Sequence, residues 1–255
     1  MMDGLEPLLA GLTEQQALIL LLASFLGSLL TAALGVGGGA LLITVMAGIV
    51  PPLALIPVHG VVQMGSNTSR AWLTRRYTQW SKVGWFLGGS VLAAALGGLL
   101  LNRIDEAWIP LMVGLFILWL SWGPMPALGL GSTRMGLFSG GLLTTGMTVL
   151  VGATGPLVSA WLGRAGMDKW QYTANFSAIM SLQHGLKLLV FMCAGFAFHQ
   201  WLAVMAAMIA CGYIGTLVGL RLLGKIPETQ FRYVFRWVLT LLAMRLVWQF
   251  FAAAH

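Results

Sequence analysis

The sequence predicts an all-α polytopic membrane protein: about ten helical segments as two inverted five-segment repeats, with short, broken second and seventh segments. Three observations carry this. Of 255 residues, 58% are hydrophobic and 8% charged, against about 25% charged in a soluble domain, and long uncharged runs recur throughout. Two glycine-rich breaks, Gly35-Val36-Gly37-Gly38-Gly39 and Val151-Gly152-Ala153-Thr154-Gly155, each follow an apolar run and precede a shorter one. Ten of the 14 lysines and arginines can share one side of the membrane. A β-barrel is argued against, since its spans are about ten residues of alternating polarity.

The first segment, 15–34, is an apolar run closed by the glycine stretch. Glycine costs roughly 1 kcal/mol against alanine in a helix interior, so four in five residues predict a break. The second, 39–50, is too short to span and stops at Pro51-Pro52. The third, fourth and fifth cover 53–73, 82–101 and 107–122. Residues 123–133, with Pro124, Pro126 and three glycines, read as a cytoplasmic linker between repeats 1–122 and 134–255. The sixth covers 134–150. The seventh is short, running from Pro156 to near Gly166. The eighth, ninth and tenth cover 170–194, 201–223 and 231–252.

Orientation follows from charge. Arg75, Arg76, Lys82, Arg134, Arg164, Lys169, Arg221, Lys225, Arg232 and Arg236 can all be cytoplasmic. Both termini are then periplasmic, and each broken segment forms a hairpin with its predecessor. The +7 net charge thus reflects loop placement rather than a nucleic-acid partner. An acidic start (Asp3, Glu6, Glu14) argues against a cleavable signal peptide. Cys193 and Cys211 sit in apolar runs and read as core residues, with neither a disulfide framework nor a metal site.

Glycine breaks at corresponding places in two halves are the best sequence pointer to the binding site of an inverted-repeat transporter. A shift of 116 residues places Gly39 on Gly155, His59 on Asn175, Met64 on Met180 and Asn67 on Gln183. Non-helical backbone at membrane depth persists only where it is buried or lines a cavity. A helix beginning at each break offers free N–H groups and a partial positive charge to an anion. The candidate substrate-binding residues are Gly37, Gly38, Gly39, Thr154 and Gly155 at the breaks, with His59, Gln63, Asn67, Asn175, Gln183 and His184 on the following helices. Amides and hydroxyls donate hydrogen bonds to an oxyanion without a strong ion pair. The competing role for such side chains is to hold membrane helices together. His59 and His184 are equally candidates for proton coupling or for structural hydrogen bonds.

Arg70, Lys187 and Arg245 lie within apolar runs. They read as vestibule cations or as chains reaching the interface. No carboxylate is expected inside the bilayer apart from Asp168, near the inner end of the eighth segment, so a metal cage or a hydrolytic carboxylate pair is argued against. No cofactor is expected, and no P-loop pattern is present, so transport would be secondary.

The glycine stretch after the first segment, Pro51-Pro52 with His59, Asn67-Thr68-Ser69-Arg70, and Gly152-Ala153-Thr154-Gly155-Pro156 together resemble the TauE/SafE family, also grouped as toluenesulfonate uptake permeases. The resemblance covers essentially the whole chain. It implies a bacterial inner-membrane permease, not an enzyme, that moves sulfite, organosulfonates or related sulfur anions by alternating access. A passive anion channel and an importer of an aromatic sulfonate are the alternatives. Trp72, Trp80, Trp161 and Trp170 would stack on an aromatic sulfonate or anchor at the interface. Coupling to protons and assembly as a homodimer are left open.

Overall fold

The computed structural model describes residues 9–101, 105–123, 130–163, 166–225 and 228–253. Arg103, Arg164, the acidic Asp3 and Glu6, and the centre of the linker lie outside these. The described residues form ten α-helices: α1 Glu14–Leu34, α2 Gly38–Ala47, α3 Pro52–Thr74, α4 Trp80–Leu101, α5 Ile109–Trp122, α6 Arg134–Val151, α7 Gly155–Leu162, α8 Lys169–Cys193, α9 Leu202–Leu222 and α10 Glu228–Ala253. Four stretches, Glu14–Leu34, Lys169–Cys193, Phe198–Leu222 and Tyr233–Ala252, are long and apolar enough to cross a membrane.

Local chemistry fixes the helix ends. Thr13 and Gln16 form a capping box before α1, and Asp168 and Gln171 form one before α8. Thr133 caps α6. Pro52 takes the first position of α3, where its missing N–H is not needed. The breaks end α1 at Gly35 (φ 91°) and α6 at Gly152 (φ 82°), a left-handed backbone that glycine adopts without strain.

Side-chain contacts give the helix directions. Tyr77, just past α3, stacks on Trp170 at the start of α8, while Gly60 meets Lys187 near the other end; α3 and α8 therefore run antiparallel. Trp108 touches Phe250 and Trp122 touches Trp237, so α5 and α10 do the same. Ser24 and Ser28 face Met208 and Gly212, and Phe86 and Gly97 face Gly141 and Val149, so α1 runs parallel to α9 and α4 parallel to α6. Connections holding Arg75, Arg76, Lys169 and Lys225 share one face; the start of α1 and the end of α10 share the other.

The main pairings of the long helices recur when the halves are exchanged, whereas the contacts of α2 with α5 and α10 have no counterpart of similar extent at α7 among the described residues. The α1–α9 pair corresponds to α6–α4, α3–α9 to α8–α4, and α3–α8 and α5–α10 to themselves. The helix ends agree. The caps Gly35 and Gly152, the first residues Gly38 and Gly155, and the first residues Pro52 and Lys169 are each separated by 117 residues. That is one more than the shift read from the sequence.

One expectation is overturned. Cys193 is exposed and Cys211 half-buried; neither is a core residue. An outer face against lipid is as apolar as an interior, so an apolar run does not by itself place a side chain inside.

Candidate functional site

The last turn of α1 prepares the start of α2. The Thr31 hydroxyl donates to the Gly27 carbonyl and accepts from the Gly38 N–H, both at 3.0 Å. Gly38 lies so close to α1 that a Cβ there would sit 1.7 Å from the Gly27 oxygen. At the second break Gly155 takes the first position of α7 and Pro156 the second. The Thr148 hydroxyl donates to the Thr144 carbonyl. Its remaining capacity accepts the hydroxyl of Thr154.

Between the two helix starts lies a cavity of about 20 Å³. The first half lines it with Thr31, Gly37, Gly39 and Ala40, and with His59, Gln63 and Asn67 of α3. The second half contributes Ala153, Gly155 and Pro156, and Phe176, Met180 and His184 of α8. Both α3 and α8 contribute positions i, i+4 and i+8, one stripe of a helix.

The polar groups are ordered along α3. His59 Nε2 donates to the Gly39 carbonyl at 3.0 Å, which leaves Nδ1 without a partner. Asn67 Nδ2 donates to the Gln63 carbonyl at 2.8 Å and to its Oε1 at 3.4 Å. Arg70 donates to Asn67 Oδ1 at 3.1 Å and Ser66 Oγ at 3.3 Å. His184 faces His59 edge-on, ring centroids 5.9 Å apart, and its Nδ1 is also unpartnered. Lys187, one turn further, donates to the Gly152 carbonyl at 3.2 Å. Among the described residues, no carboxylate lines the cavity.

Comparison with known proteins agrees with this architecture. A family model described as sulfite exporter TauE/SafE matches residues 20–246. The chain belongs to the TauE/SafE family. A relative from Comamonas testosteroni, the probable inner membrane transporter protein TsaS, is 26% identical over 170 residues, covering 63% of this chain and 69% of TsaS. No solved structure matches. This TauE/SafE protein is thus a multi-pass inner-membrane transporter and not an enzyme.

Within this TauE/SafE fold, Gly37, Gly39, His59, Gln63, Asn67, Gly155 and His184 meet at the cavity. Four other candidates lie elsewhere. Gly38 is pressed against α1 and Thr154 is paired with Thr148. Asn175 accepts from the Gln79 N–H at 2.8 Å, fastening the α3–α4 connection to α8. Gln183 donates to the hydroxyls of Thr144 and Thr145 at 2.7 and 2.8 Å, and Thr145 donates on to Ser90, so it ties α8 to α6 and α4. The one-residue difference in register accounts for the last two: one residue turns a helical position by about 100°. At 117 residues, His59, Gln63 and Asn67 correspond to Phe176, Met180 and His184.

Arg70 and Lys187 are buried within the protein, 1% and 0% exposed. Arg245 lies far from the cavity, its guanidinium 4.0 Å from where a Cβ on Gly48 would sit, at the C-terminal end of α2, where the helix dipole favours a cation. Trp72 and Trp80 are exposed near helix ends, as interface anchors are. The sequence reading missed Thr31, Ala40, Ala153, Pro156, Phe176 and Met180 as lining residues. Thr31 had a legible signal, a hydroxyl one turn before the break; apolar lining residues have none in an apolar helix.

Proposed function

We propose that this protein is a secondary transporter of a small sulfur oxyanion, sulfite or a compact organosulfonate, bound in the cavity between the starts of α2 and α7. The observation that supports this most is the cavity itself. Two helix N-termini, from opposite halves, meet at a space edged by amide, imidazole and hydroxyl groups and, among the described residues, by no carboxylate. Helix starts favour anions without a buried counter-charge. About 20 Å³ holds roughly one water-sized sphere, so the cavity must widen to take even sulfite, and far more to take an aromatic ring. The description of the matching family model, sulfite exporter, points the same way.

The two five-helix halves act as inverted repeats and rock about the cavity, exposing it to either face in turn. The register of 117 residues and the matching pairings of the long helices support this. The face holding Arg75 and Arg76 is cytoplasmic, and both termini are periplasmic. His59 and His184, each with one unpartnered ring nitrogen, are the groups assigned to proton coupling.

A thermal-shift titration tests the site. Sulfite is expected to raise the Tm of purified protein saturably and to leave Asn67→Leu unmoved. A wild-type Tm that stays fixed across sulfite, thiosulfate, sulfoacetate, taurine and toluenesulfonate overturns the proposal. Saturable sulfite flux in liposomes that responds to a pH gradient is expected of a coupled carrier; an ohmic current overturns alternating access.

A further inference from the structure

Arg70 and Lys187 stand at equivalent places in the two halves. Arg70 follows the last cavity-lining residue of α3, Asn67, by three positions; Lys187 follows the last of α8, His184, by three. The two cations are themselves 117 residues apart. Because α3 and α8 run antiparallel, they lie beyond opposite ends of the cavity. Both are essentially unexposed.

Neither has a carboxylate partner among the described residues. The acidic residues of the described chain, Glu14, Asp105, Glu106, Asp168 and Glu228, all sit at helix starts or in connections. Arg70 is held by neutral acceptors alone, and its Nε is unpartnered. The Lys187 ammonium donates to one backbone carbonyl, that of Gly152. Room for it is built in: a Cβ on Gly60 would sit 2.5 Å from Lys187 Cε. A charge buried with only neutral partners is costly, and an anion beside it offsets that cost.

On the Arg70 side a second cavity, about 240 Å³ and lined by Asp168, Lys169 and Tyr172 among others, lies at the face carrying Arg75 and Arg76. Tyr172 stacks on Phe176 at 5.9 Å, and Phe176 lines the central cavity. This aromatic pair therefore contributes one ring to the lining of each space.

We propose that Arg70 and Lys187 are two anion stations, one on each side of the central site. The anion passes between the cavity and Arg70 on the Arg75–Arg76 face, and between the cavity and Lys187 on the opposite face. This rests on the anion-carrier reading above and adds to it which side each cation serves. Each is a specificity-determining residue for a negatively charged substrate.

Sided flux tests it. Labelled sulfite is presented to either face of proteoliposomes in which the protein has one orientation. Arg70→Gln is expected to raise KM about tenfold or more from the Arg75–Arg76 face and less than about twofold from the other. Lys187→Gln is expected to do the reverse. Arg70→Lys keeps the charge but loses the fork, so it gives a smaller shift on the same face and serves where Arg70→Gln does not fold. KM raised equally from both faces, or unchanged from both in variants with wild-type Tm, overturns the two-station arrangement. Sulfite binding by Asn67→Leu separates the readings: its loss keeps the central site even where the stations fail, and its retention overturns that site.

Discussion

Gly38 and Gly155 each begin the short helix of their half, but their surroundings differ. A Cβ on Gly38 would fall 1.7 Å from a backbone oxygen of α1, whereas one on Gly155 would meet only Phe176 Cζ, at 3.6 Å. The first break is thus closed by backbone packed on backbone. The second is held by side chains, the Thr148–Thr154 hydroxyl pair and the ring of Pro156. Gly155 faces the cavity and Gly38 does not. The same place in the chain is therefore structural in one half and, on our reading, ligand-facing in the other. A pair of glycine breaks need not be a pair of identical sites.

The largest expected effect breaks this comparison directly. Gly38→Ala drives a methyl into the Gly27 carbonyl, which cannot swing aside as a side-chain tip can. The cost is about 3 kcal/mol, a Tm lower by roughly 6–12 °C. Gly155→Ala makes an ordinary contact and is expected to keep Tm within about 2 °C while weakening sulfite binding, because its methyl enters the cavity. Thermal unfolding with and without sulfite measures both. Equal loss of Tm in the two variants would remove the distinction drawn between the breaks.

A second contrast sharpens it on the helices that follow. Asn67→Leu removes an amide that lines the cavity, and sulfite affinity is expected to fall about tenfold or more, 1.4 kcal/mol at the least. Gln183→Leu removes two hydrogen bonds to α6, which in membranes are worth about 0.6 kcal/mol each and at most about 1.7. Stability is expected to fall by roughly 1–3 kcal/mol, with sulfite affinity within about twofold of wild type. The discriminating result is the split between Tm and Kd. An affinity loss in Gln183→Leu matching that in Asn67→Leu would return Gln183 to the binding site.

Fold features with a length or composition signature were legible in the sequence. Apolar runs show as spans, glycine clusters as breaks, and basic residues mark one face. The α3 stripe was legible too, because His59, Gln63 and Asn67 are polar residues at helical spacing in an apolar segment. Its counterpart on α8 was not. Aligning Gly39 with Gly155 put the register one residue out, and because Phe176 and Met180 look like any other membrane residues, the amides Asn175 and Gln183 stood in their place. Apolar, glycine-rich sequence constrains register weakly, and one residue moves a side chain to another face. Cys193 and Cys211 failed for a related reason: facing lipid and facing protein call for the same chemistry.

The smallest effect concerns the threonines one turn before each break, Thr31 and Thr148, which are also 117 residues apart. Each hydroxyl donates to the carbonyl four residues back, leaving its oxygen to accept one more bond. In the first half the donor is the Gly38 backbone N–H, buried and fixed. In the second it is the Thr154 hydroxyl, which can rotate toward another acceptor. Thr31→Val strands an N–H that cannot turn, at about 1–2 kcal/mol; Thr148→Val is expected to cost under about 1 kcal/mol. Thr31→Ser restores the acceptor and should return most of the lost stability. Chemical denaturation of the three variants in one detergent checks the order. Equal costs for the two valines would mean that the difference between a backbone-built and a side-chain-built break does not extend to the helix ends that hold them.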